Sequence, residues 1–377
     1  MTPRGFLVLL AGLAAAETHS FVVEDAAEVV ADLDLSGPEW PPATATLDGG
    51  SKMHVPLYAG GERHTYSVFL GRVSAGAHRL EIGARVHGVR IRQFRRGDAL
   101  YDVIARAPVL FARANTLDRF SDVPLLAYCE RLTENGRPLL QYTVVFSNED
   151  GGTSTRALMA RWGRTTDIEY LYRVFLDDGS ATMQTRDHKD VPFRGRRFGE
   201  HPLLAPVTDN NMVSDEGETA IRYQLAPRLV DLAARSREAV MDEEPVTYRA
   251  MARELEREGK IRPFGTVDGE KISDPRNYLY LEAKVSNRNS AVAFLAQQAA
   301  TWRTSHLGRA GYAITRDGWI RTTIELPPGA GPSGIAVACL VAEQKPPAVA
   351  GVCRVEAVTK AFFLGEDYRP GRSIWSL

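Results

Sequence analysis

Two carboxylates lie two residues apart in the segment ARWGRTTDIEY. On a strand, Asp167 and Glu169 leave the same face, with Cα atoms about 6.6 Å apart. Carboxylates that close repel one another, which raises the pKa of one of them and lets a pair divide acid and base roles. The spacing therefore predicts a catalytic acid/base pair. The alternative is that both side chains form the wet face of an edge strand whose other face packs on the core.

A histidine-bearing segment, residues 186–217, follows this strand. It has the composition of an irregular loop of about 30 residues, and loops of that length inside a domain often carry function. His188 and His201 lie near several carboxylates there, as a catalytic base lies near its orienting acid, or as ligands lie around a metal. We therefore predict that both histidines are catalytic. An ion-paired surface loop is the alternative.

Four further residues are predicted to bind substrate. Arg164 and Arg173 flank the carboxylate pair, and guanidinium groups there could hold an anionic group. Trp302 and Tyr312 lie in the segment TWRTSHLGRAGY, where aromatic rings beside polar groups suit a sugar surface. Trp and Tyr residues of β proteins also serve as ordinary core.

An acidic, glycine-rich loop follows the apolar run LLQYTVVFS. Glu149 and Asp150 in this loop offer oxygen ligands on a flexible backbone, which suits a hard cation such as Ca²⁺. The sequence predicts a site for calcium or another divalent metal here, with a solvated strand connection as the alternative. The sequence has no nucleophile elbow, HExxH zinc motif or phosphate-binding loop.

The elements that must position these residues are short strands. Apolar and polar residues alternate over 63–70, 78–86 and 167–174, which is the period of a half-buried strand. Asp-Gly pairs predict tight hairpin turns, the last of them between GYAIT and WIRTTIEL. The pattern predicts a mainly β protein with two antiparallel, sandwich-like or jelly-roll-like domains. The four Asp-Gly pairs are 48–49, 178–179, 268–269 and 317–318.

One stretch has helical spacing instead. The apolar positions of 225–240 fit one helix face, and a second helix begins after Thr247 and ends at Gly259. We predict a helical insertion over about 225–259 that covers a cleft or caps a sheet. A boundary near residue 106 divides the chain into an N-terminal β-sandwich domain, 17–105, and a larger β-rich domain, 106–377, which carries the insertion.

The N-terminus predicts export. A basic start, an apolar stretch and three alanines occur in that order within MTPRGFLVLLAGLAAA, as in a secretory signal peptide cleaved after Ala16. The stretch is shorter than the roughly 20 apolar residues of a membrane span. We expect signal peptide 1–16 and a secreted or periplasmic protein; a buried N-terminal element is the alternative. Cys339 and Cys353 either form a disulfide across a hairpin or remain, with Cys129, as buried thiols.

The amino-acid composition limits the classes of molecule that we expect this protein to bind. The 377 residues include 46 Lys and Arg against 47 Asp and Glu, a net charge of −1 that gives no attraction to nucleic acid. We therefore predict a protein that binds or cleaves an extracellular carbohydrate-like polymer, as a hydrolase or lyase that uses acid/base chemistry. The alternative is a non-catalytic extracellular binding or cell-surface protein with Trp302, Tyr312 and Trp319 as its contact surface. A structural envelope protein is the third hypothesis.

Overall fold

The chain is mainly β, as the alternating pattern predicts. The computed structural model describes residues 16–149, 151–327, 329–341 and 352–375. Within these ranges it contains twenty-four strands and four α-helices. Short 3₁₀ turns lie at Ala114–Thr116, Arg186–His188, Pro275–Asn277 and Ala310–Tyr312.

The first seven strands build two sheets that share one apolar core. These strands are β1 (Glu17–Val23), β2 (Ala27–Ser36), β3 (Ala43–Leu47), β4 (Met53–Val55), β5 (His64–Val73), β6 (Gly76–Ile82) and β7 (Arg85–Phe94). One sheet has the order β5-β2-β7 and the other begins β1-β6-β3-β4. The predicted strand over 63–70 is confirmed as β5. The single strand predicted over 78–86 is wrong, because the chain turns at Gly83 and divides it between β6 and β7.

The middle of the chain carries the sheet that matters most for chemistry. Its elements are α1 (Tyr101–Ala105), β8 (Val109–Phe111), β9 (Pro124–Glu134), β10 (Arg137–Phe146), α2 (Thr155–Trp162), β11 (Asp167–Phe175), β12 (Ala181–Thr185), β13 (Lys189–Pro192), β14 (Arg197–Phe198), β15 (His201–Pro206), β16 (Val213–Ser214), β17 (Arg222–Tyr223) and β18 (Arg228–Val230). Six of these strands form the central sheet, in the order β13-β12-β11-β10-β9-β18. Cys129 on β9 is a free, buried cysteine. The irregular loop predicted over 186–217 is wrong, because it contains four short strands.

The remaining middle strands continue the N-terminal sheet. Its order runs on from β4 through β17, β8 and β15 to β14, and β16 pairs with β15. Apolar residues from the N-terminal strands, from the central sheet and from residues 240–255 pack in a common core. The domain boundary near residue 106 and the jelly-roll arrangement stay predictions.

The helical insertion is confirmed in its second half only. Helix α4 (Val246–Arg257) buries Tyr248, Met251 and Leu255 on one face, as predicted. The helix predicted over 225–240 is wrong over most of its length, because strand β18 and a turn occupy it and α3 spans only Ala239–Glu243. Strand β18 pairs in parallel with β9, a partner about a hundred residues away that local spacing does not reveal.

The C-terminal strands form a small sandwich. They are β19 (Tyr278–Arg288), β20 (Ser290–Gln298), β21 (Thr301–Thr304), β22 (Gly318–Glu325), β23 (Gly334–Val341) and β24 (Val352–Phe362). Sheet β22-β19-β24 packs on sheet β21-β20-β23 around a separate apolar core. The hairpin predicted at Asp317–Gly318 is wrong, because β22 pairs with β19 and GYAIT forms no strand.

A disulfide joins the two C-terminal sheets. Cys339 on β23 and Cys353 on β24 are bonded, with Cα atoms 5.7 Å apart. The disulfide is therefore confirmed over three free thiols, but the hairpin is wrong, because β23 pairs with β20 and β24 pairs with β19. Residues 1–15 of the predicted signal peptide lie outside the described residues. No helix in the described part of the chain is long and apolar enough to cross a membrane.

Candidate functional site

The two predicted catalytic carboxylates lie at the start of β11, inside the central sheet. Asp167 pairs with Phe146 and Glu169 with Val144 on β10, while β12 flanks the other edge further along the strand. Both residues are buried, with 1% and 8% of their surfaces exposed. The alternative of a wet strand face is therefore wrong, because both side chains are buried.

A third carboxylate joins this pair and completes what we call the carboxylate cluster: Glu149, Asp167 and Glu169. Glu149 follows β10, and its backbone N–H donates to the carbonyl of Thr165 at 3.1 Å, which holds the loop against the start of β11. Burial, followed by repulsion from Asp167, raises the pKa of Glu149 to about 7. Sequence reasoning assigned Glu149 to a metal and did not connect it to the pair.

Asp167 is the carboxyl that holds its proton most strongly. Burial, followed by repulsion from Glu169, raises the pKa of Asp167 to about 8. A side-chain hydrogen bond joins Asp167 and Glu169, and burial also raises the pKa of Glu169. The pair therefore shares a proton at neutral pH, with Asp167 as its donor to Glu169.

Two amides hold this pair. Asn211 donates from Nδ2 to Oδ2 of Asp167 at 3.0 Å and is fully buried, with its backbone in the left-handed region at φ 56°. Its Oδ1 has no hydrogen-bond partner among the described residues. Gln184 on β12, with its amide nitrogen turned toward the cluster, donates to Oε2 of Glu169 at 3.2 Å. Sequence reasoning missed both amides, because neither belongs to a motif.

His188 lies at the rim of the cluster. Its Nδ1 is 3.8 Å from Oε2 of Glu169, and 54% of its side chain is exposed against 11% for Glu169. The turn that carries it is strained, because Asp187 and His188 both adopt left-handed backbone conformations, at φ 62° and 54°. Consecutive residues of this kind persist only where the surrounding structure holds them, and they concentrate at functional sites.

Two arginines border the cluster on its other side. Arg237 donates from Nη1 to the carbonyl of Ile168 at 2.7 Å, and 37% of its side chain is exposed. Arg164 is buried, with Nε 3.3 Å from Oε1 of Glu238. Both guanidinium groups lower the pKa values of the cluster carboxyls against the larger effect of burial. The site therefore combines buried carboxyls that hold protons with two neighbouring guanidinium groups, of which that of Arg237 is partly exposed.

The other predicted catalytic histidine is elsewhere. His201 is buried at the start of β15, stacks on Phe69 with ring centres 4.3 Å apart, and contacts Glu28 at 3.2 Å. Its Nδ1 lies 2.9 Å from the carbonyl oxygen of Ala107. The contacts with Phe69 and Glu28 join β15 to the three-stranded sheet β5-β2-β7, and the structure does not bring His201 to the carboxylate cluster.

The predicted binding residues are also dispersed. Arg173 lies beside Asp190 and Glu134, at 3.1 and 3.5 Å. Trp302 is 46% exposed on β21. Tyr312 contacts the hydroxyl of Ser154 at 3.0 Å.

The predicted cation site at Glu149 and Asp150 stays a prediction, since Asp150 lies outside the described residues. Within the described part of the chain, no three His, Cys, Asp or Glu side chains converge so as to hold a metal ion.

The chain has no match among protein-family models, curated proteins or solved structures. The carboxylate cluster is therefore interpreted from its own chemistry. It places proton-holding and ionisable carboxyls side by side, fixed by amide donors, beneath a half-exposed imidazole. Such a set can donate one proton and accept another within a single site.

Proposed function

We propose that this protein is an exported enzyme that cleaves a carbohydrate-like polymer by acid/base chemistry, and that the carboxylate cluster is its catalytic centre. The observation that carries the proposal is the raised pKa of buried Asp167 and of neighbouring Glu149, beneath the rim formed by His188. A carboxyl that acts as a general acid at neutral pH needs a raised pKa, because an ordinary Asp or Glu has lost its proton.

The roles follow from proton occupancy. Asp167 keeps its proton near pH 7 and donates it to Glu169, which in turn gives a proton to the glycosidic oxygen as the bond to the sugar breaks. Glu149, with a pKa of about 7, is partly ionised and accepts a proton from the attacking water in hydrolysis, or from a sugar carbon in elimination. Asn211 is a positioning residue that holds the Asp167 carboxyl by a hydrogen bond. His188 contacts the substrate at the rim.

Export is supported by the disulfide. Bonds such as Cys339–Cys353 persist in oxidising compartments and are rare where thiols are kept reduced. Strand β1 begins at Glu17, directly after the proposed cleavage point at Ala16. We propose a secreted or periplasmic location, to be tested by sequencing the N-terminus of the protein isolated from that compartment.

The experiment is a cleavage assay on neutral and acidic polysaccharides with Asp167→Asn and Glu149→Gln. We expect each variant to lower kcat by roughly 10²- to 10⁴-fold, since each removes one proton-transfer group. Reducing ends without an unsaturated product indicate hydrolysis. Ultraviolet absorbance of an unsaturated product indicates elimination.

Glu130→Gln is the matched control for these variants. Glu130 lies on β9 of the same sheet, burial raises its pKa, and Gln141 donates to it at 3.2 Å. Its loss should leave kcat unchanged. Equal activity in all three variants, or cleavage of no polymer by the wild type, would remove the enzymatic assignment and favour a non-catalytic binding protein.

A further inference from the structure

Four arginines interact with one buried carboxylate, Glu238, beside the carboxylate cluster: Arg164, Arg237, Arg316 and Arg321. The Nε atoms of Arg164 and Arg237 lie 3.3 and 3.7 Å from Oε1 of Glu238, which is almost fully buried. Arg316 also interacts electrostatically with Glu238, and it is repelled by Arg237, Arg164 and Arg161. The same Arg237 interacts with Glu169 and Asp167, so this arginine group borders the proposed catalytic centre.

Arg316 has no counterion of its own. No carboxylate of the described residues lies within ion-pair distance of its guanidinium, whose one described hydrogen bond is from Nη2 to the carbonyl of Arg321 at 3.2 Å. Arg321 itself is matched by Asp242 and Glu282, at 2.8 and 2.7 Å. A guanidinium has five N–H donors, so most of those on Arg316 remain available.

Trp162 fixes the position of these donors. Its ring centre is 5.2 Å from the guanidinium carbon of Arg316 and 5.8 Å from that of Arg161. Stacking on an aromatic ring orients a guanidinium without using its N–H groups. Trp162 is the last residue of helix α2, and residues at both ends of the helix cap it. Ser154 precedes the helix, and its Oγ accepts a hydrogen bond from the N–H of Ala157 at 3.3 Å. Gly163 follows the helix in the left-handed conformation.

The charge balance favours an anion here. Four guanidinium groups interact with the single carboxylate of Glu238, and two of them, Arg164 and Arg237, also interact with the three cluster carboxyls, which hold protons more strongly than usual. The pKa of Arg316 is lowered to about 10, mainly by burial. Glu238 acts to raise this pKa, and the neighbouring arginines act to lower it. An anionic group would relieve the repulsion between the arginines and accept hydrogen bonds from the available N–H groups of Arg316.

We propose that Arg316 and Arg161, held by Trp162, bind the carboxylate of an acidic sugar next to the carboxylate cluster, so that the substrate is a uronic-acid polymer. This assignment of substrate class rests on the proposed function. The pair Arg316 and Arg161 replaces Arg164 and Arg173, which the sequence predicts to hold an anionic group. Arg164 is buried against Glu238, and Arg173 is already paired with Asp190 and Glu134. A planar guanidinium matches a carboxylate with two parallel hydrogen bonds.

The test is calorimetric titration with a galacturonate trisaccharide and with its fully methyl-esterified form. Measurement in the Asp167→Asn background prevents cleavage during the titration. We expect the acid to bind more tightly than the ester. Arg316→Gln should weaken binding of the acid by about 10- to 100-fold, the effect of losing a charged hydrogen-bond donor, and leave ester binding unchanged. Arg161→Gln, at the end of a surface helix, provides the same test if Arg316→Gln fails to fold.

Arg137→Gln is the matched control. Arg137 also stacks on an aromatic ring, with its guanidinium carbon 4.0 Å from the centre of Phe175, but it is paired with Asp177 and Asp178 at 2.8 Å. Its loss should not change binding of either ligand. Equal binding of acid and ester, or an equal loss in Arg137→Gln, would overturn the inference.

The two proposals fail separately. Cleavage of a neutral polymer without uronate binding would overturn the inference and keep the enzymatic proposal. Arginine-dependent binding of the acid without cleavage of any polymer would support the binding site and overturn the catalytic proposal.

Discussion

At the scale of single residues, the proton held by Asp167 links stability to pH. Its pKa in the folded chain is about 8, against about 3.9 in an unfolded chain. The folded state therefore binds this proton more tightly. Its contribution to the free energy of unfolding is full below about pH 4 and is lost as the pH rises through about 8. Asp167→Asn should flatten this dependence by on the order of a few kcal/mol.

Chemical unfolding across this pH range measures the effect. Asp178→Asn is the control, because the pKa of Asp178 is lowered, mainly by the hydroxyl and backbone of Ser180, so its contribution to stability changes only at acidic pH. A wild-type protein whose free energy of unfolding stays constant from acidic to alkaline pH would contradict the prediction.

The two histidines of the 186–217 segment should behave in opposite ways. His188→Ala removes a half-exposed rim residue, so we expect a change in unfolding free energy within about 0.5 kcal/mol and roughly 10- to 100-fold lower kcat. His201→Ala removes the partner of Glu28, a carboxylate only 2% exposed, and should destabilise the fold by about 3 kcal/mol. Thermal unfolding and kcat of both variants check the contrast, and a severe loss of stability in His188→Ala would refute it.

Local sequence identified part of the site because some of its partners are neighbours along the chain. Asp167 and Glu169 share a face by strand period alone. His188 returns to them because β12 pairs back onto β11. Asn211 and Arg237 approach from 44 and about 70 residues away, and only the tertiary fold brings them to Asp167. His201 resembles a catalytic residue in composition, yet β15 places it in the core.

At the scale of elements, the disulfide should stabilise the C-terminal sandwich. Cys339 and Cys353 are 14 residues apart. Closing a loop of that length reduces the entropy of the unfolded chain and so raises the free energy of unfolding by about 3 kcal/mol. Replacing both cysteines by serine should lower the free energy of unfolding by this amount. Addition of a reductant should bring the wild type to the level of the double variant. Identical unfolding curves with and without reductant would contradict this expectation.

Element types followed the sequence best where the spacing of apolar residues is regular. Strand β5 and helix α4 have clear periods of two and 3.6 residues, and both are confirmed. The segment 225–240 also has helical spacing, but Arg228–Val230 pairs with β9 instead. Backbone hydrogen bonds to a distant strand outweighed a weak local preference.

At the scale of the whole molecule, the long sheet should make the N-terminal segment depend on the rest. Strand β4 pairs with β17, and residues 240–255 contribute to the core that the N-terminal strands share. A fragment of residues 17–105 loses these partners and exposes their apolar surface. We expect it to unfold without a cooperative transition, as measured by circular dichroism during heating. A sharp transition matching that of the full chain would instead support an independent domain.

Chain order alone could not reveal this connectivity. The alternation over 63–70 predicts a strand but not which strand lies beside it. The continuation from β4 to β17 joins residues 54 and 223, and no spacing rule encodes a pairing over that distance. The mainly β character was predictable because strands such as β6 alternate between buried and exposed residues, whereas sheet order depends on how the faces of different strands are matched.

The buried thiol on β9 gives this protein a built-in reporter. Burial raises the pKa of Cys129 far above its ordinary value, and the remaining two cysteines are bonded to each other. Alkylating reagents react with thiolates, so labelling of the native chain must await opening of the sheet. The labelling rate measures how often the central sheet opens locally at β9. Only β10 separates β9 from β11, the strand that carries Asp167 and Glu169, so the rate reports on opening close to these residues. If binding of an oligosaccharide stabilises this sheet, alkylation of Cys129 should become slower, and this can be measured without detecting a product.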